Sequence, residues 1–227
     1  MRGGVPITRL HAFLDDKAAP AGGLSQYLTQ DLWAAKKIFE LDRDEKHYDV
    51  GSRIDGFITH LLCFGKSVVM IDVRPFPHKI DERLEFVQAD ATNLESIQDD
   101  SLYSLSALCS LEHFGLGRYG DPIDPEACDK AICAIQRVMK PGGKVYISLP
   151  IGQDEIWFNN GRIFKPQSVV ELFTDMRLIE FSIATPNGEP PLIKNVNPKD
   201  NDNLNSPSDS CFVGLFEFEK RDKRFKV

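Results

Sequence analysis

His47-Tyr48-Asp49-Val50-Gly51-Ser52-Arg53 opens the stretch that decides the fold; an apolar helical pattern follows, then Ser67-Val68-Val69-Met70-Ile71 and the acid Asp72. A strand, a glycine turn, a helix and a second strand ending in a carboxylate make half of a nucleotide-binding βαβ unit. The acid lies about 20 residues past the turn, as ribose recognition requires. The pattern points to a bound nucleoside cofactor.

The glycines narrow which cofactor. A dinucleotide fingerprint needs G-x-G-x-x-G so that backbone can approach a pyrophosphate, but Gly51-Ser52-Arg53-Ile54-Asp55-Gly56 places Arg53 at the second glycine. The outer glycines also fit a P-loop, yet Phe57 and Ile58 stand where its lysine and hydroxyl would be. NAD and nucleoside triphosphates are both disfavoured.

Outward from this unit the chain alternates. Helical spacing over 30–40 predicts an amphipathic helix that either lies across the cofactor mouth or caps the sheet. Strands are expected at 47–51, 67–72, 84–88 and 102–108, with a helix near 54–63. Asp124-Pro125-Glu126 starts a helix to about Met139, and Lys140-Pro141-Gly142-Gly143 stops it, since Pro cannot continue a helix and Gly accepts a left-handed cap. A strand over 144–150, a short helix over 166–173 and strands near 177–184 and 211–218 complete the order. Repeated βα units imply a Rossmann-like, doubly wound α/β fold with helices on both faces of a mostly parallel sheet. The Asn-, Pro- and Asp-rich segment 186–209 reads as a long loop.

Composition bounds the function. The 227 residues are 42% hydrophobic, enough for one α/β domain. The expected organisation is an arm and helix over 1–45, a core domain over 46–219 and a basic tail over 220–227. A net charge of -7 and pI near 5.3 argue against extended nucleic-acid contact, which relies on Lys and Arg neutralising phosphates. No apolar run is long enough to span a bilayer and no signal-peptide pattern is present, so a cytoplasmic protein is expected. Five cysteines without C-x-x-C spacing read as reduced core thiols.

The order of elements, with Arg137-Val138-Met139-Lys140-Pro141-Gly142-Gly143 ahead of a strand, resembles a class I S-adenosylmethionine-dependent methyltransferase over roughly 46–219. The stretches 49–57 and 115–122 are also similar to a little-characterised family of domains of unknown function within that superfamily. The resemblance implies a seven-stranded sheet with an antiparallel last strand, an N-terminal helical extension, and S-adenosyl-L-methionine as cofactor. Asp49, Gly51, Ser52 and Arg53 then correspond to the turn beside the methionine part. Asp72 corresponds to the ribose acid, a task suited to an ionised carboxylate, which only accepts hydrogen bonds. Asp90 corresponds to the residue that takes the adenine amino group, with the Ala91 amide near the ring. A helix N-cap or turn role is the plain alternative for Asp90.

Cys109-Ser110-Leu111-Glu112-His113-Phe114 follows the strand ending near Leu108, where an α/β sheet binds its ligands. In the superfamily a histidine here often lies near the transferred methyl. His113 is therefore the candidate base, with Glu112 or Asp121 to orient its ring; a purely structural histidine is equally compatible. Arg118, Tyr119 and Asp121 in the glycine-rich segment 115–124, and Trp157 and Asn159, are candidates for an acceptor pocket. Trp157 and Phe158 equally fit core packing. Asp121, Asp124 and Glu126 lack ordered ligand spacing, so no metal is expected. The expected activity is methyl transfer to a small polar or glycan-like acceptor, with oxygen slightly favoured over nitrogen. A non-catalytic binding or assembly domain is the alternative, because fold does not establish activity.

Overall fold

Ser25 opens the first helix with its side chain: Oγ accepts the Leu28 amide at 3.2 Å, so α1 (Gln26–Glu40) starts a turn earlier than apolar spacing alone predicts. The computed structural model describes residues 25–222 except 42, 77, 187, 189, 202–203 and 205–210. The expected N-terminal arm over 1–24 and the tail residues 223–227 lie outside the described residues.

Beyond α1 come β1 (His47–Val50), α2 (Thr59–Cys63), β2 (Val68–Asp72), β3 (Leu84–Gln88) and β4 (Leu102–Leu108). Then follow α3 (Ala127–Val138), β5 (Met139–Ile151), β6 (Glu155–Trp157), β7 (Gly161–Ile163) and α4 (Pro166–Leu172). The chain closes with β8 (Met176–Ala184), β9 (Leu192–Ile193) and β10 (Phe212–Lys220). The main sheet runs β3-β2-β1-β4-β5-β10-β8-β9, and β10 is antiparallel to both β5 and β8. The strand order reverses between β1 and β4, which leaves a crevice beyond their C-terminal ends.

The architecture matches the expected α/β sheet with an antiparallel last strand, but it has eight strands rather than seven. The extra one is the two-residue β9, inside the segment expected as loop. The separate β6–β7 hairpin was not expected either. Its turn holds Asn159 at φ 58° just before Asn160-Gly161, the kind of residue a tight hairpin turn selects. The helix expected near 54–63 opens instead with a π-helical turn, Ile54–Ile58, before α2. Lys140-Pro141-Gly142-Gly143 ends α3 as expected, yet stays within β5 as an irregularity: Leu102 pairs with Met139 and Ser104 already with Lys144. Gly142 takes φ 77° there.

Alternation along the strands sends side chains to two cores, one on each sheet face. Val145, Ile147, Phe216 and Phe218 meet α3 and α4 residues such as Ile132, Ile135 and Val169. Tyr146 and Leu215 meet Trp33, Ala34 and Ile38 of α1 and Leu61 of α2. Polar groups fasten α1 as well. Lys37 Nζ lies 2.6 Å from Glu180 and 2.7 Å from Glu217, and Trp33 Nε1 donates to Glu180. Lys220, read from sequence as the start of the tail, is instead buried and donates to the Gln136 carbonyl at 2.7 Å. All five cysteines are free thiols, but only Cys128 is a core residue; Cys63 and Cys133 are exposed, and Cys109 and Cys211 are half-buried.

Candidate functional site

A cavity of about 1460 Å³ opens at the C-terminal ends of β1, β2 and β4. The turn after β1 forms its floor. Gly51 takes φ 75°, and a Cβ there would lie 2.9 Å from Ser110 Cβ, so only glycine leaves this backbone bare. Ser110 Oγ donates to the Val50 carbonyl at 2.7 Å and ties the β4 end to the turn. Ser52 and Arg53 are also on the wall.

Asp49 is placed differently from expectation. It is fully buried behind the wall, where Oδ2 accepts the Ser52 amide at 3.1 Å and Oδ1 accepts the Ser52 and Ser106 hydroxyls. Its carboxylate shapes the turn rather than facing the cavity. Burial raises its pKa to about 6, against the pull of those hydroxyl and amide donors. His47 completes the buried chain through Ser104 and Ser106, and burial depresses its pKa to about 3, so its ring is neutral.

Asp72 ends β2 on the cavity wall with Arg74 across it. Arg74 Nε donates to Oδ1 at 2.9 Å and Nη2 to Oδ2 at 2.6 Å, and the Arg74 amide adds a third bond at 2.8 Å. The Arg74 guanidinium lies 4.4 Å from the Tyr119 ring centroid, linking Asp72 to the 115–121 loop. Asp90 is exposed on the wall and its Oδ1 accepts the Thr92 amide at 2.8 Å, a local turn bond. Ala91 is buried beside it.

The cavity is also lined by Glu112 and His113. Glu112 is buried, and its Oε2 has no hydrogen-bond partner; Oε1 lies 3.5 Å from His113 Nε2. Burial, the largest influence, lifts the Glu112 pKa to about 8. His113 Nδ1 is 2.5 Å from the Asn160 carbonyl, which can only accept, so Nδ1 carries the proton and the Nε2 lone pair faces Glu112. Burial lowers the His113 pKa and keeps the ring neutral.

This pair is clamped from outside. Arg118 Nη1 donates to the carbonyl and to Oδ1 of Asn160 at 2.9 and 3.0 Å. The Tyr119 ring meets the imidazole edge-on at 5.5 Å. Gly161 backs against both residues, since a Cβ there would lie 3.3 Å from His113 Nδ1 and 3.4 Å from Glu112 Cγ. Arg162, buried, donates to the carbonyls of Glu112, Phe114 and Pro125 at 3.3, 2.6 and 3.3 Å.

Among the expected acceptor residues, Arg118, Tyr119, Asp121 and Trp157 stand on the wall and Asn159 does not. Asn159 occupies the left-handed position of the hairpin turn, and the amide that reaches the site is the next one, Asn160. Asp121 does not touch the imidazole. Its carboxylate holds the loop amides of Gly115, Gly117 and Tyr119. Trp157 Nε1 donates to Glu155 at 2.8 Å. Sequence reading missed Tyr27 of α1, Arg74, Arg162 and Cys211. Arg74, two residues past the nominated acid, is the one that local spacing could have found; the others reach the cavity only through tertiary packing. Among the described residues no group of three or more His, Cys, Asp or Glu side chains is arranged to hold a metal. No helix among them is long and apolar enough to cross a membrane.

A family model described as "Caenorhabditis protein of unknown function, DUF268" matches residues 71–202, more than half of the chain. No curated protein matches. Solved structures share the fold. One is the 1,6-didemethyltoxoflavin-N1-methyltransferase of Burkholderia thailandensis with bound 1,6-didemethyltoxoflavin and S-adenosylhomocysteine, at 16% identity and TM-score 0.60, covering 88% of this chain and 80% of that one. Another is the [4+2]-cyclase SpnF, at 15% identity and TM-score 0.60, covering 84% and 81%. A third is phosphoethanolamine N-methyltransferase 2 of Haemonchus contortus with S-adenosyl-L-methionine, at 16% identity and TM-score 0.58, covering 86% of this chain and 53% of that one. At such identities the shared property is the fold of S-adenosylmethionine-dependent methyltransferases.

Proposed function

The chain belongs to the DUF268 family, and from that premise we propose that it is an S-adenosylmethionine-dependent methyltransferase acting on a small polar acceptor. One observation carries the reading: a single cavity is lined by the Gly51 turn, Asp72 and Asp90 together with the Glu112–His113 pair. Solved structures of this fold with bound S-adenosylmethionine or S-adenosylhomocysteine support the cofactor.

The residues fit that group. The bare backbone at Gly51 admits close approach, Asp72 supplies a carboxylate suited to two hydroxyls, and Asp90 and the Ala91 amide, also on the wall, are assigned here to the adenine edge. When bound, S-adenosylmethionine supplies a methyl group on a positively charged sulfur. The protein then has to hold the acceptor in line and accept a proton where the acceptor carries one. The Nε2 lone pair of His113 is a proton-accepting site on the cavity wall, and Glu112, which holds its own proton below about pH 8, faces it 3.5 Å away. Arg118, Asn160 and Tyr119 keep the imidazole oriented, and Arg162 holds the backbone that carries it. A hydroxyl and an amine can each use such a base, and the Trp157 ring suits a sugar-like acceptor.

Calorimetric titration with S-adenosylmethionine and S-adenosylhomocysteine tests the cofactor: the wild type binds both, and Asp72→Ala binds them at least tenfold more weakly. Unchanged affinity in that variant overturns the assignment. His113→Ala is expected to retain cofactor affinity and lose turnover, read as S-adenosylhomocysteine release.

The second reading, a binding module without transfer chemistry, draws on Arg74, which already occupies the Asp72 carboxylate. Cofactor binding without S-adenosylhomocysteine release across an acceptor panel distinguishes it.

A further inference from the structure

Glu112 Oε2 is a buried carboxyl oxygen with no donor, and it stands on the wall of a large cavity. A buried polar atom left unpaired destabilises the fold, and more so when charged. Such an atom at a cavity wall marks where a ligand donor belongs.

The surroundings specify the donor. Tyr27 comes from α1, Cys109 follows β4 and Cys211 precedes β10, and each has its pKa raised by burial first and by the Glu112 charge as a further cause. None of the three brings positive charge. His113 is neutral, with its proton on the far nitrogen. Arg118 is the one cation acting on Glu112, and its Nη1 is held by Asn160.

The whole cavity shows the same imbalance. Seven carboxyl groups and four guanidinium groups line it among the described residues, with no lysine. Arg74 is paired with Asp72, while Arg118 is held by Asn160 and Arg162 by three backbone carbonyls. A positively charged acceptor finds at Glu112 an acid with an unpaired oxygen.

We infer that the acceptor is a small primary or secondary amine, entering as an ammonium whose N–H donates to Glu112 Oε2. This rests on the methyltransferase reading and replaces the slight preference for oxygen expected from the sequence. Transfer of one proton from nitrogen to Oε2 breaks an N–H bond, forms an O–H bond, and leaves a neutral amine beside a neutral carboxylic acid. The ion pair is the resting state, burial lowers the cost of passing from it to the neutral pair, and the nitrogen lone pair is thereby freed for attack.

The test uses the side-chain carboxyl carbon resonance of Glu112 in wild-type protein, assigned by its loss in Glu112→Gln or its displacement in Glu112→Asp. Titration with pH is followed alone and with methylammonium, tetramethylammonium or methanol, each with and without S-adenosylhomocysteine. Methylammonium is expected to lower the titration midpoint from about 8 by about one unit or more, as an opposite charge in contact does. Tetramethylammonium, a cation without a donor, and methanol, a donor without charge, are expected to leave it in place. No response to methylammonium, an equal response to tetramethylammonium, or a response to methanol alone overturns the inference. Failure of S-adenosylhomocysteine to bind overturns the methyltransferase reading instead, and the methylammonium response of the free protein is read independently of it.

Discussion

Arg74 closes over Asp72 with both arms of its guanidinium while stacking on Tyr119, so the acid at the end of β2 and the loop beside His113 share one side chain. In the methyltransferase reading a ribose and Arg74 compete for the same carboxylate oxygens. The Arg74 side chain is 46% exposed, which moderates what the pair is worth.

Arg74→Ala is therefore expected to tighten S-adenosylhomocysteine binding by about threefold, corresponding to under 1 kcal/mol. Calorimetry measures it, and weaker binding would show that Arg74 contributes to the cofactor site rather than blocking it.

Gly51→Ala places a methyl against Ser110 in a backbone conformation that side chains avoid. A loss of about 1–3 kcal/mol in stability is expected, with at least tenfold weaker cofactor binding. Ser110→Gly in the same chain removes the contact but not the left-handed strain, so denaturant unfolding should show partial recovery only.

The buried acids set a pH dependence of stability. Glu112 rises from 4.5 to about 8 and Asp49 from 3.8 to about 6 on folding, so the folded chain binds protons that the unfolded chain has released. Their contribution is complete below the unfolded values and is lost as pH rises, by about 6 for Asp49 and by about 8 for Glu112. Glu112→Gln removes the upper part of that slope. Relative to the wild type, it should gain on the order of a few kcal/mol between about pH 5 and pH 8, read by thermal unfolding at the two pH values. An identical pH slope in both proteins would falsify the assignment.

Arg162→Ala leaves three carbonyls without their buried donor. Unfolding free energy should fall by about 2–4 kcal/mol, and Arg162→Lys should recover only part because one ammonium does not reproduce the fork. The His113 proton resonances should shift in the alanine variant, since the backbone of 112–114 then loses its clamp.

The sheet was legible because hydrophobic periodicity and Gly/Pro punctuation are local. Val68–Asp72, Leu84–Gln88 and Leu102–Leu108 follow from alternation and composition within single segments. The β6–β7 hairpin is readable from Asn159-Asn160-Gly161, whereas the start of α1 is not legible from apolar spacing because Ser25 acts through one hydroxyl. Asp72, Asp90, Glu112 and His113 could be nominated since each follows a strand whose end faces the crevice.

By itself, then, the sequence determined the βα order, the glycine turn at Gly51 and the acids at the strand ends, all consequences of spacing along one chain. Tertiary structure alone decided that Asp49 turns inward to Ser52 and Ser106, that Arg74 covers Asp72, and that Asn160 rather than Asn159 meets His113. It alone also left Glu112 Oε2 without a donor. Burial and hydrogen-bond partnership depend on which distant segments pack together, and residues 113 and 160 become neighbours only when the hairpin folds back over the end of β4.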